Sequence, residues 1–104
     1  MLKLTTATFD REVLESKEPV LVEFYTSWCP GCKAIAPVLE KVAGTVAGKA
    51  KVAQVDVEEE LEIGERYGIM AVPTLMLFKD GKVVADTSTA THGAVLQRTV
   101  DLAA

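Results

Sequence analysis

The chain has 104 residues, which fits one domain and leaves no room for two. Hydrophobic residues make up 49%, enough for one core without disulfides or a structural metal, and the net charge is −4 with Lys and Arg scattered. These values exclude the basic surface of a nucleic-acid-binding protein, and no apolar run is long enough for a membrane span. Because the N-terminus lacks the apolar core of a signal peptide, we expect a cytoplasmic protein.

The first half of the chain predicts a helix, a buried strand and a second, longer helix. Residues 5–15 predict a helix with Thr at its start, and Val20–Tyr25 is apolar on both faces, which is typical of a covered central strand. A turn over residues 26–31 leads to a helix over residues 32–46, which we expect Pro37 to kink. The predicted apolar stripe of this helix consists of Ile35, Val38, Leu39 and Val42.

The second half predicts a strand over residues 51–57, an acidic helix over residues 58–67 ended by Gly68, and a strand within residues 72–78. Asp80-Gly81 between two apolar runs predicts a hairpin to an edge strand at residues 83–85. With a short first strand at residues 2–4, this order predicts an α/β fold with helices on both faces of a mixed sheet. Thr91 is expected to cap a last helix whose core candidates are Val95, Leu96, Val100 and Leu102.

The two cysteines, Cys29 and Cys32, are separated by only two residues. A disulfide closing so small a loop removes little entropy from the unfolded chain, so it is a poor structural staple. Beside a strand–helix–strand pattern, this spacing is a redox signature. Cys29 lies just before a helix, where free N–H groups favour the nucleophilic thiolate, and Cys32 is placed to attack a mixed disulfide.

Two other interpretations of the cysteines remain open. Zinc needs about four ligands, and the chain offers two Cys and one distant His92, so a metal or cluster could bind only between two chains. Haem attachment requires His after the second Cys, where Lys33 stands. We therefore expect no metal site. The other interpretation is that the two cysteines are buried thiols without a chemical role.

Several motifs in register resemble the thioredoxin family over nearly the whole chain. Residues 22–29 resemble the family's strand and active-site entry, and residues 32–40 are similar to its active-site helix. The stretches 67–69, 72–75 and 78–81 match the distal half in order and spacing. The resemblance implies the thioredoxin fold, an α/β domain over residues 1–104 with about four to five strands in a mixed sheet and about four helices.

The resemblance also implies an activity. The chain would be a thiol–disulfide oxidoreductase, in which Cys29 attacks a protein disulfide and Cys32 resolves the mixed disulfide. No bound cofactor is implied; electrons would come from an NAD(P)H-linked flavin reductase, and nothing requires more than a monomer. One alternative is a disulfide oxidase or isomerase, suggested by the Pro directly after Cys29. Another is a binding module that uses the Val72-Pro73 edge without catalysis.

The family's pattern implies roles for residues around the cysteines. Pro73 would be a cis-proline facing them, and the Val72 backbone would pair with a bound substrate. Trp28 would be a partly exposed lid beside Cys29. Without the resemblance, Pro73 reads as an ordinary proline at a strand start and Trp28 as core. The other residues implied at the site are Pro30 and Gly31 for substrate contact, and Lys33 and Pro37 for support of the site helix.

Glu23 is the one charge in an otherwise apolar strand, so it needs a partner or a raised pKa. The family has Asp here, which implies that Glu23 accepts the proton of Cys32, through water. Gln54 stands where the family commonly has Lys, and a neutral amide cannot hold a carboxylate ionised by charge. We therefore expect Glu23 to be largely protonated near neutral pH in the dithiol form. The alternative is a Glu23 solvated at a sheet edge.

Two further departures from the family concern substrate choice and potential. The dipeptide Pro30-Gly31 replaces the usual Gly-Pro, and because this dipeptide tunes the potential, we expect a pair less reducing than thioredoxin itself. The loop at residues 86–90 lacks the family's glycine and carries Ser88 or Thr89 there, so partner choice is expected to differ. His92 reads as a solvated residue without a role.

Overall fold

The computed structural model describes all 104 residues and confirms the predicted α/β class, with one five-stranded mixed sheet and four α-helices. A π-helical segment, Asp10–Leu14, continues the first helix. The strands are β1 (Leu2–Lys3), β2 (Val20–Tyr25), β3 (Lys51–Asp56), β4 (Thr74–Lys79) and β5 (Lys82–Asp86). The helices are α1 (Thr6–Phe9), α2 (Pro30–Val46), α3 (Leu61–Arg66) and α4 (His92–Ala103).

Strand β2 lies in the centre of the sheet, whose order is β1-β3-β2-β4-β5. It runs parallel to β3 and antiparallel to β4, so both of its edges are hydrogen-bonded. The register places Glu23 between Gln54 of β3 and Leu75 of β4. Glu23 therefore lies in an internal strand and not at a sheet edge.

Alternation along β2 divides the core between the two faces of the sheet. One face carries Phe24, which packs with side chains of α1 and α3 such as Phe9 and Ile63. The other carries Leu21, which packs with Leu39 of α2 and Val95 of α4. Glu23 has the same parity as Leu21, so it points toward the α2 face, where the cysteines lie.

The helix boundaries differ from those predicted. Helix α2 begins at Pro30, two residues earlier than the prediction, because Cys29 caps it and proline suits the first helical position. It continues without interruption through Pro37. Helix α1 is followed by a π-helical segment, closed by the Glu15 N–H donating to the Asp10 carbonyl at 3.0 Å, which no residue pattern predicted.

Helix α3 is shorter than predicted and begins at Leu61. The side chain of Asp56 accepts hydrogen bonds from the N–H groups of Glu58 and Glu59, at 2.9 and 3.3 Å, and so forms a turn from the first residues of the predicted helix. Gly68, with φ +61°, follows the end of the helix in the left-handed conformation.

The Asp80-Gly81 hairpin is confirmed. Asp80 and Gly81 have φ of 52° and 78°, so both central residues lie in the left-handed region that a tight hairpin turn requires. Strand β5 extends to Asp86, one residue beyond the predicted edge strand.

Two core predictions were incomplete. Val38 of the predicted α2 stripe is 45% exposed, so the stripe is narrower than expected. In α4, Val95 is buried as predicted, but Thr99 is buried as well. The Thr99 hydroxyl donates to the Val95 carbonyl at 2.9 Å, which satisfies its polar group and permits burial. The other three core candidates of α4 are partly buried against the same cluster: Leu96, Val100 and Leu102.

Candidate active site

The two cysteines lie at the N-terminus of α2, and both are buried and free of any disulfide. Cys29 is the N-cap, and its Sγ accepts a hydrogen bond from the Cys32 backbone N–H at 3.1 Å. A sulfur atom accepts such a bond more strongly as a thiolate, and the helix terminus adds positive potential. The arrangement favours Cys29 as the nucleophile and places Cys32 one turn inside the helix.

The backbone of the dipeptide between the cysteines lies against Pro73. A Cβ added to Gly31 would lie 3.2 Å from Pro73 Cδ, a tight contact, and 4.0 Å from Cys29 Sγ. The Val72-Pro73 peptide bond is cis. Pro30 is exposed at the first position of α2. The structure therefore places Pro73 against the backbone between the two cysteines, with Val72 just before it.

Trp28 is 61% exposed, so it does not belong to the core. Its indole Nε1–H donates to Glu58 Oε1 at 2.9 Å. The backbone N–H of Glu58 is held in turn by the carboxylate of Asp56. Glu58 therefore stabilises one orientation of the indole. Sequence reasoning missed this contact because Glu58 lies in an acidic run that reads as a solvated helix.

Glu23 is only 1% exposed, so the alternative of a solvated carboxyl at a sheet edge was wrong. Gln54 Nε2 donates to Glu23 Oε1 at 2.9 Å, whereas Oε2 has no hydrogen-bond partner. Burial raises the pKa of Glu23, opposed by the hydrogen bond from Gln54 and by the positive charge that His92 can carry. The direction agrees with the expectation of a carboxyl that stays protonated to higher pH.

The Cys32 thiol is a much weaker acid than an ordinary thiol. Burial is the largest cause that raises its pKa to about 12; the hydrogen bond with Cys29 and the charges of Cys29 and Glu23 add to it. Glu23 and Cys32 line one cavity of about 160 Å³ beside α2. Cys32 therefore needs a base to become a nucleophile, and the nearest buried carboxylate is that of Glu23.

The two residues predicted to support the site helix are both exposed. Lys33 lines the cavity that contains Glu23 and Cys32, while Pro37 lies on the outer surface of α2. Their supporting role stays a prediction.

A second depression, of about 360 Å³, lies on the other side of Pro73. Ser88 and the almost fully exposed Met70 line it, whereas Thr89 lines a separate cavity between β5 and α4. His92 also lines this groove, with Nε2 3.5 Å from the Pro73 carbonyl oxygen. A lone His before an apolar helix gave no sign of this position, which only the cis-proline loop creates.

No three His, Cys, Asp or Glu side chains are grouped as they would have to be to hold a metal ion. No helix combines the length and the apolar character needed to cross a membrane.

Comparison with known proteins agrees with this geometry. The family model described as Thioredoxin matches residues 1–102. A protein named Thioredoxin from Pseudomonas aeruginosa is 45% identical over 85 residues, covering 82% of this chain and 79% of its own. Thioredoxin 1 of Synechococcus elongatus is 42% identical over 98 residues, covering 94% and 92%. The Thioredoxin of Thiocapsa roseopersicina is 46% identical over 85 residues, covering 82% and 93%.

Proposed function

This chain belongs to the thioredoxin family and is a thiol–disulfide oxidoreductase, and on that premise we propose that it reduces protein disulfides through Cys29 and Cys32. The observation that carries the proposal is the asymmetry of the pair. Cys29 caps α2 with an N–H at its sulfur, whereas Cys32 is a buried thiol beside a carboxyl group. The relatives are named thioredoxins and give no support to an oxidase, an isomerase or a binding module.

In the first step, the Cys29 thiolate attacks one sulfur of the substrate disulfide. A bond forms between Cys29 Sγ and that sulfur, the substrate S–S bond breaks, and the other substrate sulfur leaves as a thiolate. The Cys32 N–H at 3.1 Å stabilises the attacking charge. The product is a mixed disulfide between Cys29 and the substrate.

In the second step, Glu23 accepts the proton of Cys32, and the Cys32 thiolate attacks Cys29 Sγ. The bond between Cys29 Sγ and the substrate sulfur breaks, this sulfur leaves as the second thiolate, and the Cys29–Cys32 disulfide forms. The cysteine pair has then lost two electrons, and the substrate has gained them. Only the ionised form of Glu23 can accept a proton. Since its pKa is raised, this step should accelerate with pH at higher values than for an ordinary carboxyl.

Substrate contact is assigned to the surface around Pro73. The backbone of Val72 would pair with an extended substrate segment, while Trp28, Pro30 and Gly31 would border the scissile disulfide. The exposed indole and the close approach of Pro73 to the Gly31 backbone, which leaves little space for a side chain there, support this assignment.

We further propose that the chain is one thioredoxin domain over residues 1–104 that acts as a cytoplasmic monomer; the family model that matches residues 1–102 supports the single domain. Disulfide-containing proteins are its substrates, and an NAD(P)H-linked flavin reductase returns the dithiol. No bound cofactor is needed, because the electrons are carried by the cysteines.

The test is a trapping experiment with dithiothreitol-reduced protein and a disulfide-containing protein substrate. Cys32→Ser should accumulate a mixed disulfide at Cys29, visible as an adduct by mass spectrometry. The wild-type chain should instead turn over, with dithiothreitol as electron source, and Cys29→Ser should do neither. The assigned roles would be contradicted if Cys29→Ser formed an adduct at Cys32 as fast as Cys32→Ser forms one at Cys29.

A further inference from the structure

Two buried side-chain oxygen atoms in this protein have no hydrogen-bond partner: Glu23 Oε2 and Thr26 Oγ1. Both residues line the cavity of about 160 Å³ that Cys32 also lines. Buried polar atoms are almost always paired, and each unpaired one lowers stability. Two such atoms beside one reactive sulfur therefore suggest that they share a partner.

Thr26 contacts the surroundings of both cysteines through its backbone. Its carbonyl accepts a hydrogen bond from the Cys29 N–H at 3.4 Å. A backbone hydrogen bond from Thr26 to Cys32 acts against the burial that raises the pKa of that thiol. These backbone hydrogen bonds hold Thr26 next to both cysteines, and Thr26 lines the same cavity as Glu23 and Cys32.

A water molecule in this cavity could satisfy both orphaned atoms. The cavity is large enough for water and is lined by polar groups, which is what a buried water needs. A threonine hydroxyl can donate and accept at once, so it can hold a water molecule in whichever orientation the proton transfer requires.

We propose that Thr26 is a positioning residue. Its hydroxyl and Glu23 Oε2 together hold the water molecule that carries the proton from Cys32 to Glu23. The proposal rests on the function proposed above. In the resolving step the Cys32 thiol gives its proton to this water, which gives one of its own to the Glu23 carboxylate. The water is unchanged; the Cys32 thiolate bonds to Cys29 Sγ, and the substrate thiolate leaves with the electron pair of the broken bond.

Several titratable groups surround this path. Helix α2 contributes Cys29 and Lys33, and β2 contributes Tyr25 at the cavity wall. From α4, His92 acts on Glu23 through its charge, while the neutral Gln54 of β3 binds the other carboxyl oxygen. These groups are the same in wild type and variants, so a difference in pH profile isolates the contribution of position 26.

The experiment compares Thr26→Val, which removes the hydroxyl at nearly constant volume, with Thr26→Ser, which keeps it. Reduced protein is mixed with excess dithionitrobenzoate in a stopped-flow instrument from about pH 5 to about pH 9. The first coloured thiolate reports attack by Cys29, and the second reports resolution by Cys32. We expect Thr26→Val to slow the second phase by about tenfold and to leave the first unchanged, with Thr26→Ser within about twofold of wild type.

Three outcomes would overturn the proposal: a wild-type second phase in Thr26→Val at all pH values, a Thr26→Ser variant as slow as Thr26→Val, or equal slowing of both phases. Thr26→Ala, with its unfolding midpoint measured, serves the same comparison if Thr26→Val does not fold. In a Glu23→Gln background, Thr26→Val should add no further slowing, because both residues act on one path.

Failure of the proposed function looks different. Cys32→Ser must release only the first thiolate, and the wild type must release both. If the wild type released only one, resolution by Cys32 itself would be wrong, whatever the result at position 26.

Discussion

The two sides of the sulfur pair differ in almost every physical respect. The outer side, formed by Trp28, Pro73 and His92, is at least partly exposed to solvent around a cis-proline. The inner side, formed by Glu23 and Thr26, is buried and contains unpaired polar atoms. Groups that must meet many substrates are held by backbone and loop geometry, whereas groups that must handle one proton are enclosed by the sheet.

One helical turn is enough to separate the two chemical tasks of attack by Cys29 and resolution by Cys32. The N-cap position exposes a sulfur to N–H donors, and the next turn carries the second sulfur into the protein interior. Attack therefore depends on the helix terminus, and resolution depends on a buried base.

The largest expected difference is in the reactivity of the two thiols. Since burial raises the pKa of Cys32 to about 12, very little of its thiolate is present at neutral pH. Brief iodoacetamide treatment of the reduced protein at neutral pH should modify Cys29 and leave Cys32 unmodified, as measured by peptide mass spectrometry. In Cys29→Ser, Cys32 should become more reactive, because the hydrogen bond and charge of Cys29 are lost, while burial still protects it. Equal labelling in the wild type would contradict the asymmetry.

The next effect concerns the base on the inner side. Glu23→Gln should slow resolution by about 10² and leave the first attack unchanged, because only the second step needs a proton acceptor. In wild type, resolution should accelerate as pH rises, over a range displaced above the usual carboxyl pKa of 4.5 because burial favours the protonated form. Stopped-flow kinetics of both steps against pH measure this, and the variant should lose that pH-dependent rise.

An NMR titration of the Glu23 side-chain carbon in the dithiol form provides the independent check. We expect the protonated form to persist toward neutral pH, since Gln54 donates a hydrogen bond but no charge. A midpoint in the ordinary carboxyl range would refute the raised pKa, even if Glu23→Gln were slow.

A smaller effect is expected on the reduction potential. The N–H missing at Pro30 matters little, because a cap accepts from the second or third helical residue, here Cys32. Gly31 matters more, because glycine in place of proline gives the open dithiol more conformational freedom. We therefore expect the reduction potential of the Cys29–Cys32 pair to lie about 10–20 mV above the roughly −270 mV of thioredoxin itself, which makes the pair less reducing.

Equilibration against a dithiol buffer measures this potential. Exchanging the dipeptide by Pro30→Gly with Gly31→Pro should move the potential back by the same amount. A wild-type value at or below that of thioredoxin would contradict the argument from Gly31.

The parts of this fold that the sequence predicts are those with a local cause. The apolar run at β2, the Asp80-Gly81 turn and the Cys29–Cys32 spacing each act within a few residues, so their patterns are visible in one sequence. The start of α3 was wrong because Asp56 uses its side chain to form a turn from residues with helical propensity. Residues 58–60 could form either a helical turn or the turn capped by Asp56, and the amino-acid composition alone does not show which of the two is formed.

The parts of the site that sequence reasoning missed depend on contacts between distant segments. Glu58 meets Trp28 across thirty positions, and His92 meets the Pro73 carbonyl across nineteen. Thr26 reads as a turn residue, and only the cavity that it lines with Glu23 and Cys32 gives its hydroxyl significance. Glu23 could be found because a single charge within a central strand is costly in any fold of this kind.

The smallest expected effect lies on the outer side, where Glu58 holds the Trp28 indole by one exposed hydrogen bond of 2.9 Å. Such a bond stabilises one orientation weakly, so Glu58→Ala should lower kcat/KM for a protein disulfide by about threefold. Reaction with dithionitrobenzoate should be unchanged, since a small disulfide does not need the indole as a docking surface. Glu58→Gln keeps an acceptor oxygen and should lie close to wild type, while tryptophan fluorescence reports whether the indole has moved. If Glu58→Ala slowed both substrates equally, the indole would influence Cys29 itself, and the outer side would share in the chemistry that we assign to the helix terminus.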